Sequence, residues 1–370
     1  MSGPLARTLP KIRPDVSRWL GLLLVIGGLG ACGRAADAPP LAGVRLSILA
    51  VGDTGWRNGL PGFLDPQMRV AKALRSADLD RPSDALVLLG DNFYPEGLRA
   101  SELAPRIREN LIEPYCAFLD LSGPQAAEVA ESCRVPKEAR RGIPLYAILG
   151  DHDYESAESP DLEKHAIPRF IANWRMPDRA AQAVELGEGV SLVLVDGPAL
   201  IESDDGTALR EALQRAAGPW RILAIHRPLG TRKIELDRTD PAQTPYARLV
   251  RDAIVKAGVD LHLVISGDEH SLQILEMPAP FPPLHVVAGG GCCPREIDSW
   301  SPYRRFGTGE LGFLRIDLVG GGEERLVASL FALPSHPLRS FEGARLVARW
   351  SVDRTLRVRD EMASKGPAGA

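Results

Sequence analysis

The sequence has no excess of positive charge and no apolar run of the usual membrane-spanning length. Its 370 residues carry a formal net charge of −4, whereas a broad nucleic-acid-binding face is normally basic. The most apolar stretch, residues 19–31, reaches only about 20 Å as a helix, against a bilayer core of roughly 30 Å. We therefore expect no nucleic-acid partner, and any anionic substrate must be attracted locally.

Four basic residues between 7 and 18 precede this apolar stretch, and small residues follow it. That order is typical of a secretory signal. The segment Leu29-Gly30-Ala31-Cys32 resembles the lipobox of bacterial lipoproteins, which implies lipidation of Cys32 and a membrane contact through the lipid. Gly33 after the cysteine favours the periplasmic face of the outer membrane. The alternative is an uncleaved anchor in which Cys32 is incidental.

Cysteine is scarce, and four of the five cysteines remain once Cys32 is set aside. An even number in an oxidising compartment favours disulfides. Cys116 and Cys133 flank a polar insert and would close a short loop. The adjacent Cys292 and Cys293 would pair only through a tight ring, and two free buried thiols are the alternative.

We divide the chain into a signal peptide (1–32), a linker (33–44), a main domain (45–332) and a C-terminal extension (333–370) whose tip we expect to be disordered. Within the main domain, apolar runs without clean polar alternation indicate strands buried on both faces. Helix-like stretches lie between several of them, which favours an α/β fold. The runs are 45–53, 85–91, 145–151, 190–196, 221–226, 261–268 and 284–291, and the helices are Pro66–Ser76, Leu209–Ala217 and Pro245–Ala257.

Acidic and imidazole side chains stand at the ends of at least five of these runs. In open α/β sheets, ligands bind beyond the carboxyl ends of the strands. Carboxylates gathered at one such edge repel each other unless a cation lies among them. A glycine precedes several of the aspartates and allows a sharp turn. The pattern therefore predicts a metal site without reference to any family.

The motifs GDTG (52–55), GDNFY (90–94), GDHDY (150–154), AIHRP (224–228) and GDEH (267–270) occur in this order, each after a predicted strand. Together they resemble the calcineurin-like metallophosphoesterases, and the tyrosine three residues after Asp91 resembles the purple acid phosphatase branch. The resemblance covers roughly residues 45–332. It implies a four-layer α/β/β/α sandwich that holds two metal ions, iron paired with iron, manganese or zinc.

The same resemblance implies a role for each motif residue. His152 would be catalytic, with Asp153 orienting its imidazole. The implied metal ligands are Asp53, Tyr94 and His270 for the first ion, Asp91 as the bridge, and Asp151, His226 and Asp268 for the second ion.

Two positions depart from the family pattern, because Asp151 replaces an asparagine and Asp268 replaces a histidine. If every ligand is ionised, these carboxylates largely cancel the positive charge of the ions. Either the second site prefers an oxygen-liking ion such as Mn²⁺ or Mg²⁺, or catalysis is weak.

The predicted function is hydrolysis of a small phosphate monoester by a metal-bound hydroxide. The alternatives are a phosphodiesterase or nucleotidase that uses the same site, and a non-catalytic lipoprotein scaffold. Metal content together with turnover would separate an enzyme from a scaffold.

Overall fold

A computed structural model describes residues 40–57, 59–203, 205–233, 239–334, 339 and 342–363. The predicted signal peptide with Cys32, the linker as far as residue 39, and the last seven residues lie outside this part of the chain. No helix among the described residues is both long and apolar enough to span a bilayer.

The described chain contains seventeen strands and seven α-helices, together with short 3₁₀ and π turns. The strands are β1 (Val44–Val51), β2 (Ala85–Leu88), β3 (Leu145–Ala147), β4 (Trp174–Arg175), β5 (Ala181–Gly187), β6 (Val190–Val195), β7 (Trp220–Ala224), β8 (Arg232–Lys233), β9 (Leu263–Ser266), β10 (Leu272–Glu276), β11 (Leu284–Ala288), β12 (Ser299–Trp300), β13 (Arg304–Thr308), β14 (Leu311–Val319), β15 (Arg325–Leu333), β16 (Arg345–Asp353) and β17 (Val358–Asp360). The helices are α1 (Pro66–Asp80), α2 (Leu103–Ile107), α3 (Glu113–Tyr115), α4 (Ser159–Asp161), α5 (Gly197–Ser203), α6 (Thr207–Arg215) and α7 (Pro245–Ala257).

The strands form two large sheets and one small one. The first has the order β17-β16-β15-β14-β1-β2-β3-β4, in which β1 to β4 are parallel and β14 to β17 antiparallel. The second has the order β13-β10-β11-β9-β7-β6-β5, in which β6, β7, β9 and β11 are parallel. Strands β8 and β12 pair separately.

Alternating side chains of each sheet fill different layers. Ile48 on β1 and Leu192 on β6 belong to one buried cluster between the two sheets, while the next residue on β1, Leu49, packs in the cluster that includes α1. Val193 on β6 packs in the cluster that includes α6 and α7. Because successive side chains on a strand point to opposite faces, each sheet is covered on both sides, and the predicted four-layer sandwich is confirmed.

Local sequence signals set the ends of the longest helices. Asp65 accepts the backbone N–H of Met68 at 3.0 Å at the start of α1, and Thr244 accepts that of Ala247 at 3.2 Å at the start of α7. A proline follows each of these caps, where its missing N–H removes no helical hydrogen bond. Gly258 ends α7 with φ 66°, a conformation that favours glycine.

The first sheet runs past residue 332, the predicted end of the main domain. Strand β16 pairs antiparallel with β15, and β17 pairs with β16. Val352 on β16 is fully buried in the cluster between the sheets. The first sheet therefore continues to residue 360. The strands that complete its edge carry no Gly-Asp motif, so the sequence did not mark them.

Both cysteine pairs are disulfides in the structure. Cys116 pairs with Cys133 across a sequence separation of 17 residues, as the flanked insert predicted. Cys292 pairs with its neighbour Cys293, which settles the two alternatives for this pair in favour of the ring. Cys292 is buried beside the end of β11.

His285 in β11 is fully buried, and its Nε2 lies 2.9 Å from the Ser266 hydroxyl. Burial lowers its pKa to about 3, whereas an unfolded chain gives a histidine pKa of about 6.5. The stability contributed by the neutral imidazole is therefore complete above about pH 6.5 and is lost as the pH falls towards the folded-state pKa, since only the unfolded chain gains the proton.

We expect the wild type to lose about 2 kcal/mol more unfolding free energy than His285→Asn between about pH 7 and pH 5. Urea unfolding at each pH measures this difference. His165, with 62% of its side chain exposed, provides the control, and His165→Asn should keep the wild-type pH dependence. Parallel pH profiles for the wild type and His285→Asn would contradict this account of the buried imidazole.

Candidate metal centre

The carboxyl ends of β1, β2, β3, β7 and β9 meet at one edge of the sandwich. Asp53, Asp91 and Asp268 each follow a glycine there and adopt φ of 58°, 53° and 64°. This left-handed conformation is uncommon for residues other than glycine, although aspartate tolerates it better than most. The Gly-Asp motif thus does more than allow a turn, because the aspartate itself takes the unusual backbone conformation.

Gly90 shows why a glycine must precede Asp91. Its φ is 92°, and a Cβ at this position would lie 2.5 Å from His226 Nδ1 and 2.9 Å from the Gly150 nitrogen. No side chain fits between these atoms. The backbone before Asp91 therefore packs directly against an imidazole from the second sheet.

A first group of ligand atoms comes from Asp53, Asp91 and His270, which lie close enough to hold one ion. The Tyr94 hydroxyl lies at its centre, 3.1 Å from Asp53 Oδ1, 2.5 Å from Asp91 Oδ2 and 3.1 Å from His270 Nε2. Asp53, Asp91, Tyr94 and His270 are all buried or nearly so. These are the four residues assigned to the first ion and the bridge.

A second group consists of Asp91, Asp151 and His226. His226 Nε2 lies 3.1 Å from Asp151 Oδ1 and 3.4 Å from Asp91 Oδ1. Asp91 thus contributes one oxygen to each group. A carboxylate shared in this way is the arrangement that a bridging ligand requires.

Backbone carbonyls fix the orientation of both imidazoles. His226 Nδ1 lies 2.8 Å from the Leu89 oxygen, and His270 Nδ1 lies 3.1 Å from the Cys293 oxygen. A carbonyl only accepts a hydrogen bond, so each Nδ1 carries a hydrogen, and Nε2 is the ring nitrogen that faces the carboxylates and could bind an ion among them. Such outer partners set the tautomer of histidines that bind metals.

The electrostatics of the site favour a bound cation. Burial raises the pKa of Asp53 well above its ordinary value, and burial together with the charges of Asp53 and Asp91 raises that of Tyr94. For His226, burial lowers the pKa, but the charges of Asp91, Asp53 and Asp268 and the hydrogen bond with Asp151 outweigh it, and the net shift is upward. A cation among these groups would stabilise the anions of Asp53 and Tyr94 and would favour the neutral, metal-binding form of His226.

The hydrogen bonding of one buried oxygen also favours a bound cation. Asp53 Oδ2 is buried and has no hydrogen-bond partner among the described residues. A buried carboxylate oxygen without a donor is destabilising unless it binds a cation. The donor set of carboxylates, imidazoles and one phenol suits iron, manganese or zinc. The residues present therefore fit the metal centre expected from the sequence.

Asp268 lies in neither group of ligand atoms. Its Oδ2 is 3.9 Å from Arg227 Nε, and its side chain is largely buried. The structure thus places a cationic side chain, contributed by the residue after His226, beside the carboxylate that replaces the family's histidine. Ligation of the second ion by Asp268 stays a prediction.

The partner of His152 differs from the predicted one. His152 Nδ1 lies 2.7 Å from the Pro95 oxygen, and its ring packs on Tyr94 with centroids 4.5 Å apart. Asp153 instead accepts the backbone N–H groups of Asn92 and Gly150, both at 2.9 Å. Asp153 is fully buried, and these backbone donors hold its carboxylate. The contact that holds the His152 ring is thus a backbone carbonyl, and the catalytic roles of both residues stay predictions.

A family model for the calcineurin-like phosphoesterases matches residues 46–272, more than half of the chain. The chain belongs to the calcineurin-like phosphoesterase family. The prediction of a metal-dependent phosphoric ester hydrolase is thereby confirmed.

Three solved structures are similar to the chain in fold. One is GAP50, the anchor in the inner membrane complex of Plasmodium, at 15% identity and a TM-score of 0.57, covering 84% of this chain and 89% of that one. PhoD is 13% identical with a TM-score of 0.53, covering 90% and 74%. The purple acid phosphatase PPD1 from yellow lupin seeds is 13% identical with a TM-score of 0.51, covering 88% and 57%. Such low identities show the fold alone, and a search of curated proteins found no significant match.

The sequence did not predict the buried hydrogen bonds that hold the turn after Asp91 at this phosphoesterase site. Asn92 donates from Nδ2 to the Ile148 oxygen at 2.9 Å and to Glu163 Oε2 at 3.0 Å. Glu163 is fully buried, and burial raises its pKa well above the ordinary value. The only signal for Asn92 was its place inside the GDN motif, and Glu163 lies outside every motif.

The shared carboxylate of Asp91 makes metal content a direct test of the two groups. We expect Asp91→Asn to retain less than about one ion per chain and Asp53→Asn about one, against about two for the wild type, because only Asp91 serves both groups. Elemental analysis after dialysis measures this. Asp161, which is 80% exposed, gives the control Asp161→Asn with wild-type content. Equal metal content in Asp91→Asn and Asp161→Asn would exclude the shared ligand.

Proposed function

We propose that this phosphoesterase hydrolyses phosphate monoesters at a site that holds two metal ions. The observation that carries the proposal is the position of Asp91, whose two oxygens face different groups of ligand atoms. Two ions bridged in this way would supply Lewis-acid stabilisation of the phosphoryl oxygens and lower the pKa of the attacking water.

In this proposal the two groups bind different ions. Asp53, Tyr94 and His270 bind the first ion, and a tyrosinate ligand accompanies ferric iron in the family that the motifs resemble. Asp151 and His226 bind the second ion, with Asp268 as a further oxygen nearby. The extra carboxylates suit Mn²⁺ or Mg²⁺, although iron or zinc also fits the imidazole.

His152 acts on the leaving group. Its Nδ1 donates to the Pro95 carbonyl at 2.7 Å, so Nε2 is the ring nitrogen that can exchange a proton with substrate. Its backbone N–H also donates to Asp91 Oδ1 at 3.1 Å, which ties the residue to the bridging carboxylate. A histidine held this way delivers a proton to the alkoxide as the ester bond breaks.

Arg227 supports the proposal by opposing the surplus negative charge of Asp268. Its guanidinium is half-exposed and only 3.9 Å from that carboxylate. The exposed half of this guanidinium is accessible to a phosphate ester that approaches the site. The arginine therefore restores part of the attraction for an anion that two additional aspartates remove.

The test compares hydrolysis of 4-nitrophenyl phosphate and its bis-ester by metal-loaded protein. We expect the monoester to be preferred, and Asp91→Asn to lower kcat/KM by at least about 100-fold, whereas Asp161→Asn keeps wild-type activity. A preference for the diester would assign a phosphodiesterase. Less than one ion per chain with no turnover would instead favour a non-catalytic scaffold. That alternative is supported by GAP50, which has a similar fold and is described as an anchor.

We also propose that the chain is an exported bacterial lipoprotein, lipidated at Cys32 and held at the periplasmic face of the outer membrane. The basic and apolar segments before Cys32 support this, as do the two disulfides, which are typical of oxidising compartments. Labelled palmitate should enter the wild type and the leader control Ser17→Ala but not Cys32→Ser. Equal labelling of all three would remove the lipid anchor from the proposal.

A further inference from the structure

Exposed apolar side chains are concentrated in one short loop beside the metal centre. The large apolar side chains that are exposed among the described residues number six, and three of them lie between the GDTG motif and α1. These are Trp56, Leu60 and Phe63, with exposures of 41%, 46% and 67%. Single exposed apolar residues are common, but a cluster at the rim of a site marks a binding surface.

The backbone on both sides of Trp56 is firmly held. The Gly55 N–H donates to the Asp91 oxygen at 3.0 Å, and the Gly55 oxygen accepts Asn110 Nδ2 at 2.6 Å. A Cβ on Gly55 would overlap the backbone of Asn92, so the chain is pressed against the turn that carries Asp91. Trp56 therefore directly follows a residue whose backbone is fixed by a hydrogen bond to the backbone of Asp91.

Arg57 anchors the other side. Its guanidinium donates to Asp65 Oδ2 at 3.1 Å, to Glu113 Oε2 at 2.9 Å and to the Glu109 oxygen at 2.9 Å. These contacts join the loop to α1 and to the helical segment around α3. The residues on both sides of the exposed indole are held before a ligand binds, so ordering of this loop costs little conformational entropy on binding.

The indole of Trp56 lies next to a residue of the candidate metal centre. The Trp56 ring lies 6.4 Å from the Tyr94 ring in an edge-to-face arrangement at 66°. The Tyr94 hydroxyl reaches Asp53, Asp91 and His270, and the His152 ring packs on the same phenol. The group proposed to protonate the leaving group and the exposed indole thus share one neighbour.

We propose that Trp56 binds the apolar, aromatic part of the alcohol side of the ester, and so selects aryl over polar alkyl phosphates. This inference rests on the proposed function, since it places the phosphoryl group at the metal centre and the leaving group beside His152. An aromatic ring against a tryptophan gains both buried apolar area and edge-to-face contact. Trp56 contacts the substrate away from the reacting atoms and is a specificity residue.

The test compares phenyl phosphate with glycerol 2-phosphate in the full metal-loaded chain. We expect Trp56→Ala to lower kcat/KM for phenyl phosphate about 10-fold, mainly through KM, and for glycerol 2-phosphate less than about 2-fold. Trp56→Phe should restore most of the selectivity because it keeps an aromatic face. Leu79, exposed by 72% at the end of α1, gives the control Leu79→Ala with wild-type constants for both esters.

A second readout separates failure of this inference from failure of the proposed function. Calorimetry on the Mn²⁺-loaded chain should show phenylphosphonate binding more tightly than methylphosphonate, with the ratio about 10-fold smaller in Trp56→Ala. If the wild type hydrolyses neither ester, the proposed function fails while this ratio still decides the role of Trp56. An unchanged ratio in Trp56→Ala, or an equal fall for both esters, would overturn the inference.

Discussion

The crowding of carboxylates at one edge of two sheets is the constraint on which the rest of the structure depends. Asp53, Asp91 and Asp153 are almost completely buried. Asp91 is close enough to both of the others for its charge to affect their pKa values. Burial raises the pKa of Asp153 to about 7, and the charge of Asp91 adds to the effect. Such a group of acids is stable only where donors and cations converge on it, so the loops around it are shaped by that requirement.

The two sheets divide this task between them. The first sheet supplies Asp53, Asp91 and Asp151 from parallel strands, and the second supplies His226 and His270. Each imidazole is then directed by a carbonyl, that of Leu89 for His226 and that of Cys293 for His270. Because the Leu89 carbonyl belongs to the first sheet, His226 also joins the two sheets through the site. The same hydrogen bond thus fixes both the contact between the two sheets and the orientation of His226 at the candidate metal site.

The sequence predicted which side chains gather at the site better than it predicted the backbone groups that hydrogen-bond to them. Asp91 and His226 were found because each follows an apolar run, and parallel strands bring their carboxyl ends to one edge. The carbonyls of Leu89, Pro95 and Cys293 could not be predicted, since any residue type presents the same oxygen. For the same reason the sequence could not show that Asp153, which we assigned to His152, accepts the backbone N–H groups of Asn92 and Gly150.

The limits of the fold were harder to predict for a different reason. Several parallel strands were recognised by the Gly-Asp or histidine that follows them. Strands β14 to β17 are followed by no Gly-Asp motif and were assigned in part to an extension. Yet β16 hydrogen-bonds along most of the nine residues of β15. A recombinant fragment that ended at residue 332 would leave those backbone groups unpaired along an open edge, and the preparation would be prone to associate edge to edge.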